Sequence, residues 1–129
     1  MAEILIIEDE TPIRQNLARL LRLEGHTVTE AADGVAGIEA AFSVRPDLIL
    51  CDILMPGTDG YGVLAELRGT PDLAATPFVF LTASANFEER AQALKLGADE
   101  YLVKPFKIME VLAAIERQLG KKRTHRGTP

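Results

Sequence analysis

Short apolar runs alternate five times with stretches of helical periodicity, and this alternation constrains the fold more than any other feature of the chain. The candidate strands are residues 3–7, 27–30, 48–51, 78–81 and 100–103. Between the first two, Ile13, Leu17, Leu20, Leu21 and Leu23 recur at helical spacing. Thr11 followed by Pro12 reads as an N-cap and first helical position, and Gly25 as the stop. A second helix is expected over about 35–44, with Val35, Ile38, Ala41 and Phe42 on one face, and Pro46 bars its continuation. The third, about 61–68, is short and amphipathic, and the fourth, near 87–96, ends at Gly97. The fifth carries Ile108, Val111, Leu112, Ile115 and Leu119 on one stripe, with Gly120 as its expected end. Strict strand–helix alternation with short connections predicts a parallel sheet covered by helices on both faces. Leu48-Ile49-Leu50-Cys51 is apolar at every position, the pattern of a central strand buried on both sides.

A chain of 129 residues is one ordinary domain, long enough to build a core without metal or disulfide staples. With 47% hydrophobic and 26% charged residues, neither a disordered chain nor a fibrous repeat fits. The longest apolar runs are far too short to span a bilayer, and the N-terminus lacks the basic and apolar regions of an export signal. The single cysteine, Cys51, excludes an internal disulfide, fits a reducing cytoplasm, and reads as a small core residue. A cytoplasmic location and no membrane partner are therefore expected. The formal charge of -5 hides an asymmetry: all 19 acids precede Gly120, while four of the 14 Lys and Arg (Lys121, Lys122, Arg123, Arg126) crowd the last nine residues. So acidic a body argues against direct nucleic-acid binding by the folded part. The expected division is a domain over 1–119 and a basic tail or linker over 120–129, the tail read as a solvated terminus. His26 is expected on a surface turn and His125 lies in that tail, so neither reads as a phosphodonor.

Open sheets of this kind place functional groups outside the carboxyl ends of their strands. The first strand ends in Glu8-Asp9-Glu10, the third in Asp52, the fourth in Thr82, and the fifth runs into Lys104-Pro105. Carboxylates brought to one edge repel one another unless a cation intervenes, and a hard divalent ion such as Mg²⁺ suits oxygen ligands. Carboxylate nucleophile, metal, lysine and hydroxyl are together what phosphoryl transfer to an aspartate needs. Each group also has a plainer reading. An acidic triplet can be a solvated helix entry, Thr82 a turn residue, and Tyr101 an ordinary strand aromatic. Phe87 and Phe106 read as core or core edge. Only a shared site accounts for all four strand ends.

Ile6-Ile7-Glu8-Asp9-Glu10, Asp52-Ile53-Leu54-Met55-Pro56-Gly57-Thr58-Asp59-Gly60, Leu81-Thr82-Ala83 and Tyr101-Leu102-Val103-Lys104-Pro105-Phe106 resemble the receiver domain of two-component response regulators over about residues 3–119. The resemblance implies an α/β, flavodoxin-like (βα)₅ doubly wound fold with strand order 2-1-3-4-5. It implies Asp52 as phosphoacceptor from a sensor histidine kinase or histidine phosphotransfer protein, with Mg²⁺ (or Mn²⁺) held by Glu8, Asp9, Asp52 and the backbone carbonyl of Leu54. Thr82 and Lys104 would hold phosphoryl oxygens, and Thr82 with Tyr101 would form the switch. The Lys104–Pro105 bond would be cis, and Gly57 and Gly60 would be free to take positive φ. Such a chain phosphorylates itself from a donor and dephosphorylates slowly, without being an enzyme in the usual sense. A phosphorylation-dependent homodimer and an unnamed downstream target belong to the same expectation. The chain is read as a stand-alone receiver or a fragment of a larger regulator, the former slightly favoured. Positions two beyond the acceptor and the threonine, Leu54 and Ser84, are where such domains tune the attack of water, and apolar Leu54 predicts a long-lived phosphoryl group.

Three rivals fit less well. A flavin- or nucleotide-binding domain of this architecture needs a loop of free N–H groups after the first strand, where this chain has three acids. An aspartyl phosphatase of the haloacid dehalogenase type needs a second Asp where Leu54 stands. A phosphate-independent pseudo-receiver has no need of Asp9, Asp52, Thr82 and Lys104 together.

Overall fold

The computed structural model describes residues 2–83 and 86–127, with side chains as far as residue 120. Five strands, β1 (Glu3–Ile7), β2 (Thr27–Ala31), β3 (Leu48–Asp52), β4 (Phe78–Thr82) and β5 (Glu100–Val103), alternate with five helices. These are α1 (Thr11–Leu23), α2 (Gly34–Val44), α3 (Gly60–Arg68), α4 (Phe87–Lys95) and α5 (Ile108–Gly127). The strands form one parallel sheet in the order β2-β1-β3-β4-β5. In register, Ile7 lies beside Ala31 and Cys51, Asp52 beside Leu81, and Thr82 beside Val103, so the carboxyl ends of the strands share one edge.

Side-chain alternation along each strand divides the core in two. Leu5, Ile7, Ile49, Cys51, Phe78 and Phe80 pack with Val63, Leu64 and Leu67 of α3 and Ala41 of α2. Ile4, Ile6, Leu48, Leu50, Val79 and Leu81 face the other way, against Leu17 and Leu21 of α1 and Val111 and Ile115 of α5. Every residue of β3 and β4 is buried, as a central parallel strand with helices on both faces requires.

Several local expectations need correction. Glu10, not Thr11, is the N-cap of α1, and Thr11-Pro12 open the helix itself. Leu23 is exposed, because it falls off the Leu17-Ala18-Leu21 stripe that meets the sheet. In α2, Val35 and Phe42 face solvent, and Gly34, Gly37 and Ala41 form the buried face. The helix lies so close to β1 that a Cβ at Gly37 would come within 2.5 Å of Ile7 Cδ1, so the smallest residues, not the largest, mark its inner face. Phe87 is 81% exposed rather than core, since α4 buries only Ala93. Phe106 does sit at the core edge. The backbone of α5 passes through Gly120 to Gly127. A glycine inside a helix costs only about 1 kcal/mol against alanine, too little to stop a helix whose following residues favour it. His26 is half-buried, and its Nδ1 accepts a hydrogen bond of 3.2 Å from the Ala2 N–H.

Candidate phosphoryl-acceptor and cation site

The site is assembled where β1, β3, β4 and β5 end. Glu8 follows β1 and is fully buried; its N–H donates to the Ala31 carbonyl at 3.0 Å, so β2 holds the chain as it leaves the sheet. One carboxylate oxygen, Glu8 Oε2, accepts from the Glu10 N–H at 3.1 Å. Asp52 ends β3 at 4% exposure, and the next loop folds tightly over it. Gly60 N–H donates to the Ile53 carbonyl at 2.8 Å, and a Cβ on Gly60 would collide with the Asp52 carbonyl and approach Ile53 Cα to 2.8 Å. Gly60 is thus required for close approach, whereas Gly57 alone of that pair takes positive φ, at 77°. Leu54 projects from this loop at 73% exposure.

Lys104 directly follows β5 and is joined to Pro105 by a cis bond, and its N–H donates to the Thr82 carbonyl at 2.7 Å. Its ammonium lies 2.7 Å from Glu8 Oε1, 3.4 Å from Asp52 Oδ2 and 3.8 Å from Glu10 Oε1. Thr82, at the end of β4, and Tyr101, opposite Phe80 on the adjacent β5, are both buried. Glu8, Asp9, Asp52, Thr82 and Lys104 are therefore brought to one edge, together with the loop that bears Leu54, while Tyr101 lies two residues back from that edge within β5. Ser84 lies outside the described residues.

The electrostatics of the cluster follow from its burial. Desolvation first, and the Glu8 carboxylate second, push the Asp52 pKa up to about 7 against the opposing pull of Lys104. Burial alone would lower the Lys104 pKa, but its bonds and ion pairs with Glu8 and Asp52 outweigh that and hold it above the usual lysine value. Burial, then the Asp52 and Glu8 charges, raise the Cys51 thiol well out of the reactive range, which agrees with a core role. Glu8, Asp9 and Asp52 each offer an oxygen within 4.8 Å of the others. Glu8 Oε1 is buried, and among the described residues the Lys104 ammonium at 2.7 Å is the one donor group that approaches it, which leaves a lone pair unused. An all-oxygen donor set with one under-satisfied buried oxygen fits a hard divalent cation.

Sequence reasoning missed two residues beside this cluster. Arg14 of α1 donates from Nη1 to the Glu8 carbonyl at 2.9 Å and pairs through Nε with Glu30 Oε1 of β2 at 3.3 Å. The signal was present: Arg14 occupies the same helical stripe as Leu17, Ala18 and Leu21, where a charge is rare unless paired.

Comparisons with known proteins point one way. The family described as Response regulator receiver domain matches residues 4–116. Response regulator MprA of Mycobacterium ulcerans (strain Agy99) is 41% identical over 118 residues, covering 92% of this chain and 50% of that protein. The DNA-binding dual master transcriptional regulator RpaA of Synechocystis is 37% identical over 121 residues, covering 94% of this chain and 50% of that protein. The chain thus spans about half the length of these curated relatives. Among solved structures, chemotaxis protein CheY4 of Vibrio cholerae superposes with a TM-score of 0.86 at 32% identity, covering 91% of this chain and 98% of that one. A response regulator receiver domain protein from Clostridium thermocellum gives 0.88 at 30% identity, covering 96% and 98%. Among the described residues no helix is long and apolar enough to cross a membrane.

Proposed function

The chain belongs to the response regulator receiver domain family, and from that membership we propose that it takes a phosphoryl group onto Asp52 from a phosphohistidine of a sensor kinase or phosphotransfer protein. The observation that carries this reading is the corner itself: a buried Asp52 carboxylate 3.4 Å from the Lys104 ammonium, with Glu8 and Asp9 oxygens close enough to share one cation. In the transfer, an Asp52 oxygen attacks phosphorus in line with the departing imidazole nitrogen. The P–N bond breaks, a P–O bond forms, and the imidazole takes up a proton as it leaves.

Glu8, Asp9, Asp52 and the Leu54 carbonyl would hold a divalent cation, which would neutralise the carboxylates and polarise a phosphoryl oxygen. Lys104 is tethered through Glu8 and aimed at Asp52, so it can follow the charge onto a phosphoryl oxygen without leaving the corner. The Thr82 hydroxyl donates to another oxygen. Thr82 and Tyr101 sit on neighbouring strands, so movement of the first toward the phosphoryl group changes the packing of the second and biases the surface around α4, β5 and α5. The molecule is a switch that modifies itself once per donor, and the downstream target reads its surface.

Intact-protein mass after incubation with acetyl phosphate tests the reading. One phosphoryl adduct is expected in wild type with Mg²⁺, none without Mg²⁺, and none in Asp52→Asn. An adduct that survives Asp52→Asn places the chemistry elsewhere.

A further inference from the structure

Arg14 stands where the inner stripe of α1 calls for an apolar side chain, and only 12% of its side chain is exposed. A guanidinium taken out of water is tolerated only with well-placed partners. One partner is the Glu8 carbonyl, at 2.9 Å from Nη1; the other is Glu30 on β2. Glu30 is itself held from a second side, because Arg22 Nη1 approaches its other oxygen at 3.4 Å while Arg22 Nη2 donates to the Val28 carbonyl at 2.9 Å. Arg14 therefore rests on a braced carboxylate. What it grips matters more. The Glu8 carbonyl belongs to the planar peptide unit that joins Glu8 to Asp9. The preceding unit is pinned by the Glu8 N–H to the Ala31 carbonyl. With both units held, the direction in which the Glu8 side chain leaves the backbone is set and the Asp9 Cα is placed; the next unit is held in turn by the Glu10 N–H, which donates to Glu8 Oε2 at 3.1 Å, so Asp9 is fixed through Glu8.

We propose that Arg14 is a positioning residue for the divalent-cation site, fixing the Glu8–Asp9 peptide plane so that both carboxylates face the cleft. The inference rests on the reading that Glu8, Asp9 and Asp52 hold a divalent cation. Two physical effects of Arg14 on that cation have opposite signs. As a positive charge it repels a dication, so by charge alone its removal tightens binding. As a clamp it pre-orients two ligands, so its removal frees the peptide plane and weakens binding, typically by roughly 10–100-fold for partners of metal ligands. The sign of the change separates them.

Calorimetric titration of the whole chain with Mg²⁺ alone, with no phosphoryl donor present, is the test. Arg14→Ala is expected to weaken Mg²⁺ binding about tenfold. Arg14→Lys keeps the charge but loses the two-pronged grip, and weakens binding by a smaller factor in the same direction. In the metal-free Arg14→Ala protein the Asp9 amide resonance shifts while amides of β3 and β4 stay in place, a signature that general loss of stability does not produce. Unchanged or tighter binding by natively folded Arg14→Ala overturns the inference and leaves the cation site standing. Should Arg14→Ala not fold, Arg14→Lys decides alone, and wild-type affinity in it overturns the inference. A wild-type chain that binds no Mg²⁺ overturns the cation site and the inference with it.

Discussion

Asp52 is ionised at neutral pH only against its surroundings: it is buried, it faces Glu8, and Lys104 is shared between the two. In the absence of divalent cations, removing that charge relieves more repulsion than it loses attraction, since Lys104 keeps its closer contact to Glu8. Asp52→Asn is therefore expected to stabilise the metal-free protein at neutral pH by on the order of 1 kcal/mol, a rise of roughly 3–6 °C in Tm for a domain of this size. Thermal unfolding in chelator measures it, and a lower Tm in the variant contradicts the electrostatic account. Leu54 acts at the same scale. It projects from the loop beside Asp52, the proposed acceptor, and its side chain cannot hydrogen-bond an attacking water. Leu54→Asn is expected to shorten the phosphoryl lifetime severalfold, read by the decay of the mass adduct after donor removal; an equal or longer lifetime counts against that role.

At the scale of elements, the loop between β3 and α3 is shaped by one close approach. A Cβ at Gly60 meets the Asp52 carbonyl and the Ile53 backbone, neither of which can rotate aside as a side-chain tip would. Gly60→Ala is expected to cost about 2 kcal/mol by overpacking, despite alanine's better helix propensity at the start of α3. Urea unfolding measures the loss, and a neutral or stabilising effect shows that the loop is not held against Asp52. The helices differ in how firmly they are placed. Both α1 and α5 bury continuous apolar stripes, whereas α4 buries only Ala93 and leaves Phe87 and Leu94 exposed, as is Leu96 at its C-cap. An element with so little buried surface is drawn from the low-stability end of a fold, which suits the proposed transmission through α4, β5 and α5.

Across the whole molecule, two apolar cores clamp a sheet whose one edge concentrates like charge. Stability and ligand binding are therefore linked: a cation that binds only the folded site adds free energy by mass action. At a Mg²⁺ concentration a hundredfold above its Kd, the stabilisation is expected to be about 2.7 kcal/mol, and Asp52→Asn removes most of it. Paired melts with and without Mg²⁺ check both statements, and an equal gain in wild type and variant places the cation elsewhere. The fold itself was legible in the order of apolar runs, because strand and helix periods differ and a parallel sheet has few ways to connect. The strand ends were legible for the same reason: once the strands are parallel, Glu8, Asp52, Thr82 and Lys104 must share an edge.

What stayed hidden depended on distance between elements. Periodicity alone marked Val35 and Phe42 as inner residues of α2, but the closeness of that helix to Ile7 reserves its inner face for Gly34, Gly37 and Ala41. The stripe of α1 marks Arg14 as out of place, but the same limit hid its two partners, which come from a strand end and a neighbouring strand. By itself, then, the sequence determined the elements, their order and the groups that reach the edge, because these follow from local periods and connection lengths. The tertiary structure alone decided which oxygen Lys104 approaches, how far Asp52 is driven from its ordinary pKa, and which side chains brace the site. Those depend on separations of a few ångströms between segments far apart in the chain, and no local pattern encodes them.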